Sequence, residues 1–159
     1  MDAVTLATLR GELEADCRVA AEALDLAKRR LDEGSESGRE GCAHHLSRVY
    51  NIVERMAVRV ASAFENQVDR DRGWHAALVR RMSIAIPGVR PALWSDKLSQ
   101  PLRELRGFRH VFNHAYDLSL DPEKLALLVK YASEVVPHLE TICGRFVASV
   151  AQMHRIKSA

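Results

Sequence analysis

The stretch LRELRGFRHVFNHAYDLSLDPEKL, residues Leu102 to Leu125, contains one helix, its end, and the start of the next. Leu98, Leu102, Leu105, Phe108, Phe112 and Ala115 recur at steps of three and four, which places them on one buried stripe of a helix. Ser95 is the expected N-cap, and Pro101 is tolerable only near the first turn or at a kink. The residues from Asp117 to Asp121 signal a helix end. Asp121-Pro122-Glu123 then combines a capping carboxylate, a proline at the first helical position and an acidic side chain that complements the helix dipole.

Working outward, the same periodicity covers most of the chain. Downstream, Leu125, Leu128, Tyr131 and Val135 carry a final helix toward a basic tail, with a bend expected at Pro137. Upstream, Ile86-Pro87-Gly88-Val89-Arg90-Pro91 cannot continue a helix, because proline lacks the amide donor and restricts its predecessor. A short helical piece is expected from about Trp74 to Met82. Leu46, Val49, Val53, Met56, Val60 and Ala63 mark a long helix ending near Gln67. Leu6, Leu9, Leu13, Cys17, Ala20, Leu24, Ala27 and Leu31 mark another, and Asp32 to Gly38 (DEGSESG) separates the two. With short loops and no alternating strand pattern, the fold class is all-α. The expected architecture is an antiparallel bundle of four long helices plus a short one, in a single domain over residues 1–159. No internal repeat is present.

Composition agrees. With 159 residues of which 47% are hydrophobic, one domain with a true core is affordable. Cys17, Cys42 and Cys143 are odd in number and far apart, which argues against a disulfide framework and for a reducing compartment. The N-terminus lacks the basic and apolar regions of a signal peptide, and nothing approaches a membrane span, so a soluble cytoplasmic protein is expected. The net charge is only +2, yet Arg70 to Arg109 holds nine Lys and Arg against three Asp and Glu. One basic segment in a near-neutral chain suits a local polyanion site better than a whole-surface DNA binder.

That segment ends in the run Arg106 to Tyr116, which holds permanent cations, two imidazoles and a phenol within about three turns. Arginine stays charged, and histidine exchanges protons near neutral pH. Arg109 and His114 are five positions apart, roughly 140° around a continuous helix. Both reach one phosphate only if the helix loosens near His114 or a second copy completes the site across a two-fold interface. The chemistry that fits is RNA cleavage by its own 2′-hydroxyl. It needs a base, an acid and a cation for the phosphorane charge. Two copies of His114 would exchange the protons while Arg109 binds the non-bridging oxygens. His110, Tyr116 and Arg106 would orient these groups or contact RNA, and Asn113 would hold a group at the helix end. No metal or other cofactor is required, since the nucleophile belongs to the substrate.

The order Arg-x4-His-x-Tyr, with a polar residue after the Arg, resembles the signature of HEPN-domain ribonucleases, in particular the HepT-like toxins. The segments His44 to Ala61, Trp74 to Met82, Arg90 to Trp94 and Leu102 to Leu125 extend the resemblance over about residues 40 to 130. The first helix matches only in being long. The resemblance implies catalytic places for Arg109 and His114, the polar place for His110 and the motif tyrosine for Tyr116. It also implies a partner antitoxin, a minimal nucleotidyltransferase of the Mnt type, that transfers AMP to Tyr116; a homodimer is expected from the shared site. Inactive relatives share such folds, so the alternative is a non-catalytic helical module that binds a nucleotidyltransferase or a nucleotide.

Other residues allow two readings. His110 and His114 have the spacing of a helical zinc pair, but no HExxH, acidic neighbour or clustered cysteine accompanies them. A di-iron bundle would need inward Glu-x-x-His pairs, which are missing. Tyr50 and Glu54 would line the cleft and hold the motif Arg or His; the competing expectation puts Tyr50 in the core and Glu54 with Arg55 at the surface. Arg80, Arg81 and Arg90 are candidate phosphate contacts or plain solubilising charge. Trp74 is expected to anchor packing rather than stack on a base, with His75 beside it. The tail from His154 to Lys157 would touch RNA or antitoxin, or fray.

Overall fold

In the computed structural model, residues 1–65, 74–114 and 119–155 are described, the side chains of residues 75 and 76 excepted. The elements are α1 (Ala3–Asp32), α2 (Glu36–Phe64), α3 (Trp74–Arg81), α4 (Ser99–His114), α5 (Pro122–Val135) and α6 (Leu139–Met153). A 3-10 turn, Asp96–Leu98, leads into α4, and another, Val136–His138, joins α5 to α6. Counting α5 and α6 as one broken rod, the fold is the expected all-α bundle of four long helices and a short one. Among the described residues the only extended pairing is an isolated bridge between Ile86 and Arg90.

Helices α1 and α2 pack along one another, and α1 also meets α5 and α6, while α2 meets α3, α4 and α5. The stripe predicted for α1 is buried from Leu6 to Ala27, and Leu46, Val49, Val53, Met56 and Val60 are buried on α2. The break between α1 and α2 is shorter than DEGSESG suggests. Gly34 turns the chain with φ of 66°, and Ser35 caps α2 by accepting from the Gly38 amide at 3.0 Å. Thus α2 begins at Glu36, ten residues before its first predicted apolar position. Its expected end near Gln67 lies outside the described residues.

Prolines set the other boundaries. Ser95 precedes a 3-10 turn and makes no side-chain cap bond, so α4 begins only at Ser99 and holds Pro101 in its first turn. Pro137 sits in the Val136–His138 turn, which breaks the last helix where a bend was expected. Asp121 accepts from the Glu123 amide at 2.9 Å and caps α5 as predicted. All three cysteines are buried, with Cys17 and Cys143 sulfurs 3.8 Å apart between α1 and α6.

One charge cluster extends the sequence-based reading and a second corrects it. Asp16, in the middle of the α1 stripe, is 2% exposed and accepts from Arg55 at 2.6 and 3.0 Å and from Arg59 at 2.9 Å. Arg55 is exposed, as expected, and its guanidinium also clamps α1 to α2. Arg90 is neither a phosphate contact nor a solubilising charge: its side chain is fully buried. It donates to Glu65 at 2.9 and 3.0 Å and to the carbonyls of Ile84 and Pro91 at 3.0 and 3.2 Å. Arg81 binds the other Glu65 oxygen at 2.7 Å. Gly88, with φ of 74°, allows the turn that brings Arg90 inward.

Removing one partner of a buried ion pair strands the other charge, which costs about 3–5 kcal/mol. Arg90→Ala is expected to lower the unfolding free energy by about that much, measured by urea denaturation. A loss below about 1 kcal/mol would contradict the buried role.

Candidate functional site

Helix α4 presents its polar residues according to which of its faces is covered. Pro101, Leu102 and Leu105 are buried, and Phe108 and Phe112 stack at 5.7 Å in partly buried positions. This stripe turns Arg109 sideways toward α2. Its Nη1 donates to Asn51 Oδ1 at 2.9 Å and to Glu54 Oε2 at 3.0 Å, and its Nη2 lies 3.5 Å from Glu54 Oε1. The guanidinium carbon stands 4.9 Å from the centre of the Tyr50 ring. A cation over an aromatic face is stabilised by roughly 0.5–2 kcal/mol.

Glu54 is 8% exposed and Tyr50 1% exposed, so the expectation of Glu54 at the surface is corrected, while Tyr50 in the core holds. A carboxylate so withdrawn from water needs a cation, and Arg109 supplies it across the α2–α4 contact. Arginine has five donors in a planar fork. The contacts to Asn51 and Glu54 use the end formed by the two terminal nitrogens. The side edge, Nε–H with the outer Nη2–H, makes no hydrogen bond to the described residues and is the edge that grips an oxyanion bidentately.

His110 and His114 point elsewhere. Both are exposed, with ring centroids 4.5 Å apart. His114 Nδ1 lies 2.7 Å from the His110 carbonyl oxygen. A carbonyl only accepts, so Nδ1 must carry the hydrogen, and Nε2 of the neutral ring then holds a lone pair facing outward. Such a nitrogen can take a proton and, once charged, return it. Arg106 and Asn113 are exposed, and the Asn113 side chain makes no hydrogen bond to the described residues.

The helix is regular through His114, so one protomer turns Arg109 and His114 to different sides, and loosening of α4 is not seen up to that residue. Tyr116 lies outside the described residues, as does the side chain of His75. Trp74 is partly buried against the core. His154 Nε2 donates a hydrogen bond to the Val89 carbonyl, 3.0 Å away, which ties the tail to the Arg90 turn; Lys157 is outside the described residues. Among the described residues no three His, Cys, Asp or Glu side chains gather in a metal-holding group, and no helix is long and apolar enough to cross a membrane.

Sequence reasoning missed Asn51 and Asp16. Asn51 carried a usable signal, since it precedes Glu54 by three positions and so shares its face. Asp16 carried the opposite one, as a lone charge in an apolar stripe that demands a partner.

Burial raises the Tyr50 phenol to about 12, helped by the negative Glu54 and opposed by Arg109 and Arg106. Between about pH 10 and 12 the unfolded chain therefore releases a proton that the folded chain keeps, and stability falls as pH rises through that window. The hydroxyl also has no hydrogen-bond partner among the described residues. Tyr50→Phe is expected to be neutral or stabilising at pH 7 and to flatten the loss of stability above pH 10, measured by denaturation across pH. Parallel curves for the two proteins would show that this phenol is not shielded from water.

Comparison with known proteins adds one match. A family model described as HepT-like protein covers residues 41–150, from the second turn of α2 to the last turn of α6. No curated protein and no solved structure matches the chain.

Proposed function

The chain belongs to the HepT-like family, and on that premise we propose that it is a metal-independent endoribonuclease toxin. It acts as a cytoplasmic homodimer of single-domain protomers and is neutralised by a nucleotidyltransferase antitoxin of the Mnt type. The observation that supports this reading is that Arg109 and His114 are each held by hydrogen bonds that leave the reactive edge open. Glu54 and Asn51 fix the arginine from one end, and the His110 carbonyl fixes the imidazole tautomer.

In the proposed reaction, Nε2 of one His114 takes the proton of the 2′-hydroxyl as that oxygen bonds to phosphorus. Charge growing on the non-bridging oxygens is met by the Nε–Nη2 edge of Arg109. The bond from phosphorus to the 5′-oxygen breaks, and the protonated His114 of the partner subunit gives that oxygen its proton. The products are a 2′,3′-cyclic phosphate and a 5′-hydroxyl. The two-fold arrangement answers the geometry, because a single α4 directs its Arg109 and His114 to different sides. His110, Asn113 and Arg106 flank the reacting phosphate as RNA contacts.

Positioned proton transfer contributes about 10²–10⁴-fold to rate, and an oxyanion donor about 10²–10³-fold. Purified protein should cut single-stranded RNA in EDTA, leaving cyclic phosphate ends. His114→Ala should lower the rate by at least about 100-fold with helicity intact, and Arg109→Ala by a similar factor. Undiminished cutting by His114→Ala would remove the mechanism. Complete inactivity of the wild type would favour the non-catalytic module that uses Arg109 only to hold an anion.

Transfer of AMP to Tyr116 would add bulk and negative charge two residues from His114 and repel the RNA phosphate. Incubation with the cognate nucleotidyltransferase and ATP should add the mass of AMP to the wild type and not to Tyr116→Phe. Equal modification of both would place the acceptor elsewhere.

A further inference from the structure

A cleft of about 640 Å³ opens between α2, α3 and the start of α4. It is lined by Arg80 from α3 and by Ser99, Arg103 and Arg106 from α4, with Tyr50 and Trp94 in its wall. Its volume lies in the range of about 300–1,000 Å³ that holds a small-molecule-sized group. Two features distinguish it from an incidental groove. Among the described residues its three arginines face no balancing charge of equal size: no carboxylate there pairs with Arg80 or Arg106, and Arg103 lies 4.0 Å from its neighbour Glu104. Asp96, also in the lining, is held at 2.6 Å by the Ser99 hydroxyl. Tyr50, 99% buried and part of the lining, carries a hydroxyl that no described residue satisfies. A buried donor left unpaired is costly, and an occupant offering an oxygen or nitrogen would remove that cost.

From Arg106, the last residue of the cleft lining on α4, the helix surface leads on to the proposed catalytic histidines. At 100° per residue, Ser99, Arg103, Arg106, His110 and His114 fall within about 80° of one another, a single ridge about 22 Å long. All five are exposed. The ridge therefore begins in the arginine cleft and ends at the imidazoles, and His110 stands about 6 Å further along the axis than Arg106. A small anion would need only one end of such a ridge. A polymer with one negative charge per unit would use all of it.

We propose that this cleft is a subsite for the nucleotide of an RNA strand that flanks the scissile phosphate. Arg80, Arg103 and Arg106 hold its phosphates, and the Tyr50 hydroxyl bonds its sugar or base. The inference rests on the ribonuclease reading above and adds where the strand runs.

The test measures binding apart from cutting. A fluorescein-labelled 2′-O-methyl hexaribonucleotide lacks the attacking hydroxyl, and its affinity is read by anisotropy over a range of salt. Arg80→Ala combined with Arg103→Ala should bind at least about tenfold more weakly, with a salt slope shallower by about 1.4 for two lost phosphate contacts. Ala77→Trp, which fills the cleft from α3 without altering charge, should weaken binding several-fold and leave the slope unchanged. Tyr50→Phe should weaken it a few-fold without lowering thermal stability. Wild-type affinity in the double arginine variant and in Ala77→Trp would overturn the subsite, even if unmodified RNA is still cut. Displacement of the hexamer by AMP alone at equal concentration would also overturn it, in favour of a free-nucleotide pocket. If the hexamer binds through the cleft while unmodified RNA stays intact, the subsite stands and the nuclease reading falls.

Discussion

Helix α2 buries 14 of its 29 residues, and the charges it carries cannot all reach water. That constraint organises the rest of the molecule. Arg55 and Arg59 meet Asp16 of α1, Glu65 just past the helix end meets Arg81 and Arg90, and Glu54 meets Arg109 of α4. Each pair joins α2 to a different neighbour. Apolar stripes bring helices together but tolerate sliding, because one leucine packs much like another. A withdrawn carboxylate is less forgiving, since a misplaced partner leaves it desolvated and unpaired.

The Glu54–Arg109 pair shows how one interaction serves packing and the proposed chemistry together. It fixes α4 against α2, and it also determines which edge of the guanidinium remains available. With Asn51 and Glu54 on one end and the Tyr50 ring beneath, the cation is held without being used up. On the adjoining face of α4, the contact from the His110 carbonyl to His114 Nδ1 does the same for the imidazole. Both groups are held in place by the protein itself, which would lower the reorganisation that the proposed reaction requires.

Most of the helices were legible in the sequence because their signals are local. The periodicity of Leu6 to Ala27, the proline pair around Gly88 and the Asp121-Pro122 cap each act within one or two turns. Where the reading slipped, the deciding atoms were either loop residues whose capping role was overlooked or groups far away in sequence. The start of α2 at Glu36 depends on Ser35 and Gly34, which looked like mere loop residues. Arg90 looked like one more exposed base in a basic segment, but a glycine turn folds it beneath Glu65, 25 residues earlier. Glu54 was ambiguous for the same reason, its partner being 55 residues away.

The sequence by itself determined the helical class, the start of α5 at Asp121-Pro122 and the break at Pro137, the HepT-like resemblance and the grouping of Arg106, Arg109, His110 and His114 on one segment. These follow from spacing along a helix, which a linear string records. Only the tertiary structure decided that Arg109 is drawn toward α2 while His114 faces solvent, that Asp16 and Arg90 are interior charges, and that Arg80, Arg103 and Arg106 line one cleft. Those outcomes depend on which distant side chain stands opposite, and desolvation is paid or relieved only when two elements meet.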